Sequence, residues 1–77
     1  MPEAFLQYVA GCLVEKPEKV SIQEIPTSEE TIVELRVDDE DIGRVIGKNG
    51  SVARALRTMV SAIGARKGKD YQLEVID

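Results

Sequence analysis

The chain has 77 residues, enough for one small domain that buries only about 60 to 70% of the surface its unfolded form exposes, and too few for a second core. Apolar residues at 43% and charged residues at 31% fit a soluble globular domain and exclude a disordered one. With no histidine and a single cysteine, the usual general base and the common metal-ligand sets are missing, so the expectation is a noncatalytic protein with no metal and no cofactor.

The net charge of -4 divides unevenly. Residues 1–41 hold eleven acids and three bases, a balance of -8, while residues 42–77 hold seven bases and three acids, a balance of +4. No acid lies between Ile42 and Lys69, a stretch of 28 residues that carries Arg44, Lys48, Arg54, Arg57, Arg66, Lys67 and Lys69. Such a division fits an anion-binding half on an acidic carrier. Cys12 cannot form an intramolecular disulfide, fits a reducing cytosol and is expected in the core. No apolar run approaches the roughly 20 residues of a membrane span. Glu3 stands where a signal peptide would be basic, so the expected location is the cytoplasm, away from membranes.

Along the chain, Phe5, Leu6, Val9, Cys12 and Leu13 recur at helical spacing and predict an amphipathic helix over about residues 3–15, ended by Pro17. Gly11 within it costs up to about 1 kcal/mol relative to alanine and points to close packing there. Val20 and Ile22 alternate with Ser21 and Gln23, then Ile25 and Pro26 lead into a turn. TIVELRV follows as a second strand with Val33, Leu35 and Val37 on one face, and the two strands are expected to pair as a hairpin. The run DDED suits a helix N-terminus, with Asp38 or Asp39 as cap. A short helix turns Ile42, Val45 and Ile46 inward and stops at Gly47, with Gly43 packed closely.

GKNG connects it to a longer helix, expected to be capped by Ser51 and to bury Val52, Leu56, Met59, Val60 and Ile63 before Gly64 ends it. Ser51, Arg54, Arg57 or Thr58, and Ser61 form its polar row. ARKGK is a basic turn, and YQLEVI a closing strand with Tyr71, Leu73 and Val75 alternating. The order α-β-β-α-α-β predicts an α+β fold, a three-stranded sheet with helices packed on one face.

The loop between the two helices carries the functional signal. The first N–H groups of the second helix lack intrahelical acceptors, and the helix dipole favours a phosphate there. Gly47 and Gly50 let a ligand backbone approach, Lys48 adds a mobile positive charge, and Asn49 tolerates unusual backbone angles while offering an amide. Arg44, Arg54 and Arg57 extend the positive field. A P-loop is excluded: only three residues separate Gly43 from Gly47, Asn49 follows Lys48 where Ser or Thr is needed, and the loop follows a helix instead of a strand. GKNG taken alone is equally compatible with a plain interhelical turn.

VIGKNGSVARAL, preceded by IGR, resembles the signature of KH domains, with the GxxG loop at Gly47-Lys48-Asn49-Gly50. The helix and strand ahead of the core match the type II arrangement. More narrowly, the opening helix, the KPEKVSI connection, ELRV, DDEDIGRVIGKNG and RKGK resemble the small bacterial single-KH proteins of the KhpA (YlqC) family across essentially the whole chain. The resemblance implies one type II KH-like domain over residues 1–77, with a KH core at about 31–77 and a helix-strand extension at about 3–25.

It implies a cytoplasmic protein that binds single-stranded RNA through a backbone clamp, as an RNA chaperone or post-transcriptional regulator. It also implies a possible homodimer or a complex with a second KH-containing protein of the KhpB (Jag) type. The alternative is a protein-interaction module in such a complex, linked to cell envelope growth and division. Carried over by position, Gly47, Lys48, Asn49 and Gly50 hold the sugar-phosphate backbone, Arg44, Ser51, Arg54 and Arg57 lie beside it, and Val45 and Ile46 form an apolar groove floor. Ala53 departs from the larger aliphatic residue common at its position, and Phe5, Tyr8 and Tyr71 lie away from the loop in sequence. Base recognition then rests on edges and aliphatic contacts more than on stacking.

Overall fold

A computed structural model describes residues 2–76. Helix α1 (Pro2–Leu13) leads through a 3-10 turn at Pro17–Lys19 to strands β1 (Ser21–Pro26) and β2 (Thr31–Arg36). A second 3-10 turn (Asp39–Asp41) precedes the short helix α2 (Ile42–Ile46), and helix α3 (Ser51–Arg66) and strand β3 (Tyr71–Ile76) complete the expected α-β-β-α-α-β order.

β1 and β2 pair antiparallel, with Ile22 opposite Leu35. Thr27 closes their turn: its hydroxyl accepts the Glu30 N–H at 3.0 Å and donates to the Glu30 carbonyl at 2.6 Å. β3 joins the other edge of β2 in parallel, Val33 opposite Leu73, so the crossover between them carries α2, the loop and α3. Parallel neighbours require such a crossover, and here it brings the helices onto one sheet face. On that face Val33, Leu35, Tyr71 and Leu73 are buried, while Arg36, Gln72 and Glu74 on the other face are exposed.

Leu6 and Ala10 of α1, Val45 of α2, and Leu56 and Val60 of α3 close the core over the sheet. Full burial of side chains such as Leu6, Leu35 and Leu56 contributes about 1.5–3 kcal/mol each.

Several details differ from the sequence expectation. The buried line of α1 runs through Pro2, Leu6 and Ala10, which rotates Cys12 outward, so its thiol is exposed and not in the core. Gly11 meets no tight neighbour: a Cβ there would come only within 4.0 Å of Pro17 Cβ. On α3 the buried line runs Ala53, Leu56, Val60 and Gly64, leaving Val52 and Ile63 half-buried and Met59 43% exposed.

Gly64 does not end α3. A Cβ there would lie 2.7 Å from the Lys69 carbonyl oxygen and 2.8 Å from Tyr71 Cδ2, so the glycine permits the close return of the chain into β3. The helix ends instead in a Schellman arrangement: Lys69 N–H bonds to Gly64 O at 2.8 Å, Gly68 N–H to Ala65 O at 3.2 Å, and Gly68 takes the left-handed φ of 70°.

Candidate nucleic-acid interface

α2 stops because Gly47 turns to φ 77°, ψ 173° after its N–H closes a last bond to Gly43 O at 2.9 Å. Lys48, Asn49 and Gly50 then make one 3-10 turn, in which Asn49 (φ 56°, ψ 26°) and Gly50 (φ 76°, ψ 14°) are left-handed. Two consecutive left-handed residues suit asparagine followed by glycine.

The glycines have separate reasons. A Cβ on Gly47 would fall 2.4 Å from Val52 Cγ2, so internal packing, and not ligand access, dictates glycine there. A Cβ on Gly50 would meet only the Arg54 guanidinium, at 3.2 Å. Gly43, expected to pack closely, is exposed with nothing within 4 Å of where a Cβ would stand.

Ser51 does not cap α3. The N-cap is Gly50, with no side-chain hydrogen bond, and Ser51 is already helical at φ -64°, ψ -39°. Among the described residues, the N–H groups of Lys48 and Asn49 donate to no backbone acceptor. Arg54 reaches back from the first turn of α3, its Nη1 donating to the Asn49 carbonyl at 2.7 Å. It thereby satisfies the loop's outward carbonyl and fixes its shape while keeping its charge beside Lys48. The turn that leads into α3 therefore leaves two N–H groups, those of Lys48 and Asn49, without a backbone acceptor and near exposed cations, an electrostatic arrangement suited to an anion.

The expected site residues do not all converge on this spot. Gly47, Lys48, Asn49 and Gly50 form the loop, Ser51 follows it, Arg54 bonds back to it and the half-buried Ile46 precedes it, whereas the Arg44 side chain turns to Glu15 and Asp41. Val45 is fully buried, so, contrary to expectation, it does not form part of an accessible groove surface. Arg57 turns the other way, its Nε donating to the Leu73 carbonyl on β3 at 3.4 Å. Ala53 is also buried in the core.

Asp41 is a residue that sequence reasoning passed over. Only 2% exposed, it accepts the N–H of Glu15 on Oδ1 and of Lys16 on Oδ2, both at 3.1 Å, and Oδ1 lies 3.4 Å from Arg44 Nε. It ties the chain after α1 to the start of α2. The one legible signal was its i,i+3 spacing to Arg44. Arg44 also pairs with Glu15.

Next to this, Asp38 is the cap of the two candidates, accepting the Glu40 N–H at 3.0 Å. That backbone bond, aided by the Lys16 ammonium, holds its carboxyl below the usual range. The hydrogen bond to Glu40, with the charges of Asp38 and Glu40, raises Lys16. No helix of the described residues is long and apolar enough to cross a membrane, and no three of their His, Cys, Asp or Glu side chains are placed to hold a metal ion.

With this geometry in view, the sequence model of the family described as KhpA/KhpB, KH domain, matches residues 3–75. The chain belongs to that family. It is 44% identical over 77 residues to the RNA-binding protein KhpA of Treponema pallidum (strain Nichols), covering 100% of this chain and 96% of the relative. The RNA-binding protein KhpA of Aquifex aeolicus (strain VF5) is 46% identical over 72 residues, covering 94% and 91%. That of Listeria monocytogenes serovar 1/2a is 45% identical over 77 residues, covering 100% of both chains. The KhpA/KhpB match takes in α1 and β1 as well as the loop and both flanking helices.

Proposed function

We propose that this KhpA/KhpB-family chain binds single-stranded RNA without catalysis, receiving a stretch of sugar-phosphate backbone at Gly47, Lys48, Asn49 and Gly50. The observation that carries the reading is the start of α3, which has no side-chain cap and stands beside exposed cations. RNA binding in its relatives supports the same reading. Arg44 and Ser51 flank the backbone, Arg54 holds the loop open to it, and Ile46 offers an aliphatic surface to a base. Arg57 adds only to the field. Phe5 and Tyr8 lie on α1 and Tyr71 on β3, so among the described residues the loop and its two flanking helices carry no aromatic ring for stacking, and the site reads sequence weakly.

On this reading residues 1–77 are one KH domain, with its core at about 31–77 and an extension at about 3–25, acting in the cytoplasm as an RNA chaperone or post-transcriptional regulator. Met1 and Asp77 lie outside the described residues. Replacing Lys48 and Asn49 together by aspartate puts two negative charges where phosphate sits. Binding to a labelled single-stranded RNA then weakens about tenfold or more, with the salt dependence reduced and the thermal transition retained. A folded double variant that binds as the parent does contradicts the proposal.

A second reading is a protein-interaction module, either a homodimer or a complex with a second KH protein of the KhpB (Jag) type. Tyr8 at 74% exposure on α1 and Met59 on α3 favour it. Light scattering over a concentration series, with and without that partner, tests it. A monomer at every concentration that retains no KH partner excludes it.

A further inference from the structure

The cations around the loop differ in one respect. Lys48 and Arg54 have no carboxylate within ion-pair distance among the described residues, whereas Arg44 has two. The 28 residues from Ile42 to Lys69 contain no acid, so a carboxylate facing Arg44 has to come from elsewhere in the chain. Asp41 supplies one from the residue just before α2, at 3.4 Å from Nε. Glu15 supplies the other from the connection just past the C-terminus of α1, 29 residues earlier, pairing with the guanidinium Nη2.

Glu15 is more than a chance surface contact, because its backbone is fixed. Its N–H and that of Lys16 are both bound by the buried Asp41 carboxylate, which sets Glu15 at a constant distance from α2. Its side chain nevertheless remains 71% exposed and that of Arg44 50% exposed, so the pair opens to solvent without disturbing the core.

We propose that Glu15 is a built-in competitor for the RNA phosphate at Arg44: it holds the guanidinium in the free protein and is displaced when the strand binds. The extension ahead of the KH core thereby sets how tightly the loop holds RNA. The inference rests on the loop being the RNA site. A phosphate reaching Arg44 breaks the pair with Glu15 and leaves that carboxylate next to the anion, so both the lost pair and the new repulsion oppose binding. Asp41, being buried and bound to two N–H groups, stays in place and keeps its own contact with the Arg44 guanidinium.

Exposed ion pairs of this kind are worth about 0.2–1 kcal/mol, which corresponds to an affinity change of up to about fivefold. The test is binding of a labelled single-stranded RNA at low salt to the full chain and to four variants. Glu15→Gln is expected to tighten binding about two- to fivefold, with the gain shrinking as salt screens the pair. Arg44→Gln is expected to weaken it, and Glu15→Gln added to Arg44→Gln to give no further gain, because the competitor then has nothing to release.

A Glu15→Gln gain of the same size with and without Arg44 overturns the proposal, since it means that the acid merely repels the strand from a distance. No gain in the single variant overturns it as well. The Lys48→Asp variant separates these failures from failure of the site: if it weakens binding while Glu15→Gln changes nothing, the loop reading stands and the competitor does not. Thermal unfolding of each variant accompanies the titrations, and unchanged transitions show that the affinities report on the charges.

Discussion

The two ends of α3 look alike as sequence and differ as structure. Each is rich in glycine and in cations: GKNG with Arg54 at the start, and GARKGK at the finish. At the finish the protein satisfies itself. Gly64 makes room for Lys69 and Tyr71, Gly68 takes the left-handed conformation, and the N–H groups of Lys67, Gly68 and Lys69 close on the last carbonyls. At the start the glycines shape a loop, but no side chain caps the helix and, among the described residues, the Lys48 and Asn49 N–H groups find no backbone acceptor. Positive charge and glycine alone therefore do not mark a phosphate site. What distinguishes the start is the pair of loop N–H groups, of Lys48 and Asn49, that folding leaves without a backbone acceptor next to the positive end of the dipole.

The largest effect on stability is expected at the self-satisfied end. Gly64→Ala forces a methyl against the Lys69 carbonyl and the Tyr71 ring, and overpacking of this kind costs about 1–3 kcal/mol. Urea unfolding should show that loss, and RNA affinity of the folded protein should be unchanged. Gly43→Ala is the counterpart near the loop. With open space around it and a helical backbone, the substitution should stabilise the fold by about 0.5–1 kcal/mol, read by the same unfolding experiment. If it destabilises, Gly43 has a packing role that the open space denies.

Smaller still is the effect of Glu24, whose carboxyl turns toward the helix side of the sheet, where its Oε2 is buried without a donor. Desolvation, together with the neighbouring Glu3 carboxyl, raises its pKa, opposed by Lys69 and Lys67. A raised folded-state pKa means stability that is fully present below the unfolded value near 4.3 and is lost as pH rises through the folded value. Glu24→Gln should therefore raise the thermal transition at pH 7 and leave it little changed at pH 4. Asp38 has the opposite sign: its lowered pKa gives stability present above about 3.9 and lost as pH falls further.

The smallest effect is expected from neutralising the finish of α3. Arg66, Lys67 and Lys69 stand at the far end of a helix of 16 residues, on the order of 24 Å from the loop and well beyond a Debye length at physiological salt. Their replacement by glutamine should change RNA affinity less than about threefold in a filter-binding titration.

Most of the element order was legible because each element follows a simple period: alternation in β2 and β3, and apolar residues every three to four positions in α1 and α3. The loop was legible because a Gly-Lys-Asn-Gly run can do little else than turn. What escaped the sequence depends on contacts between distant segments. Cys12 and Met59 fit a helical stripe, but the true centre of each stripe is set by what the neighbouring elements leave room for, and small residues such as Ala10 and Ala53 take those places. Gly43 and Gly47 look equivalent in IGRVIG, and only the position of Val52 shows which of them has to be glycine. Ser51 is a favourable cap by type, yet the left-handed Asn49 and Gly50 start the helix one residue earlier. Asp41 was hidden because its partners are backbone groups 25 and 26 residues away, which leave no trace in periodicity.

The contrast between the two helix ends is tested most directly by titrating a short single-stranded RNA into isotopically labelled protein and following each backbone amide by NMR. The account predicts that the amides of Lys48, Asn49, Gly50 and Ser51 shift most, with Arg44, Ile46 and Arg54 next and Ala65 to Lys69 nearly still. Dominant shifts at Arg66, Lys67, Gly68 and Lys69, with a silent loop, contradict it.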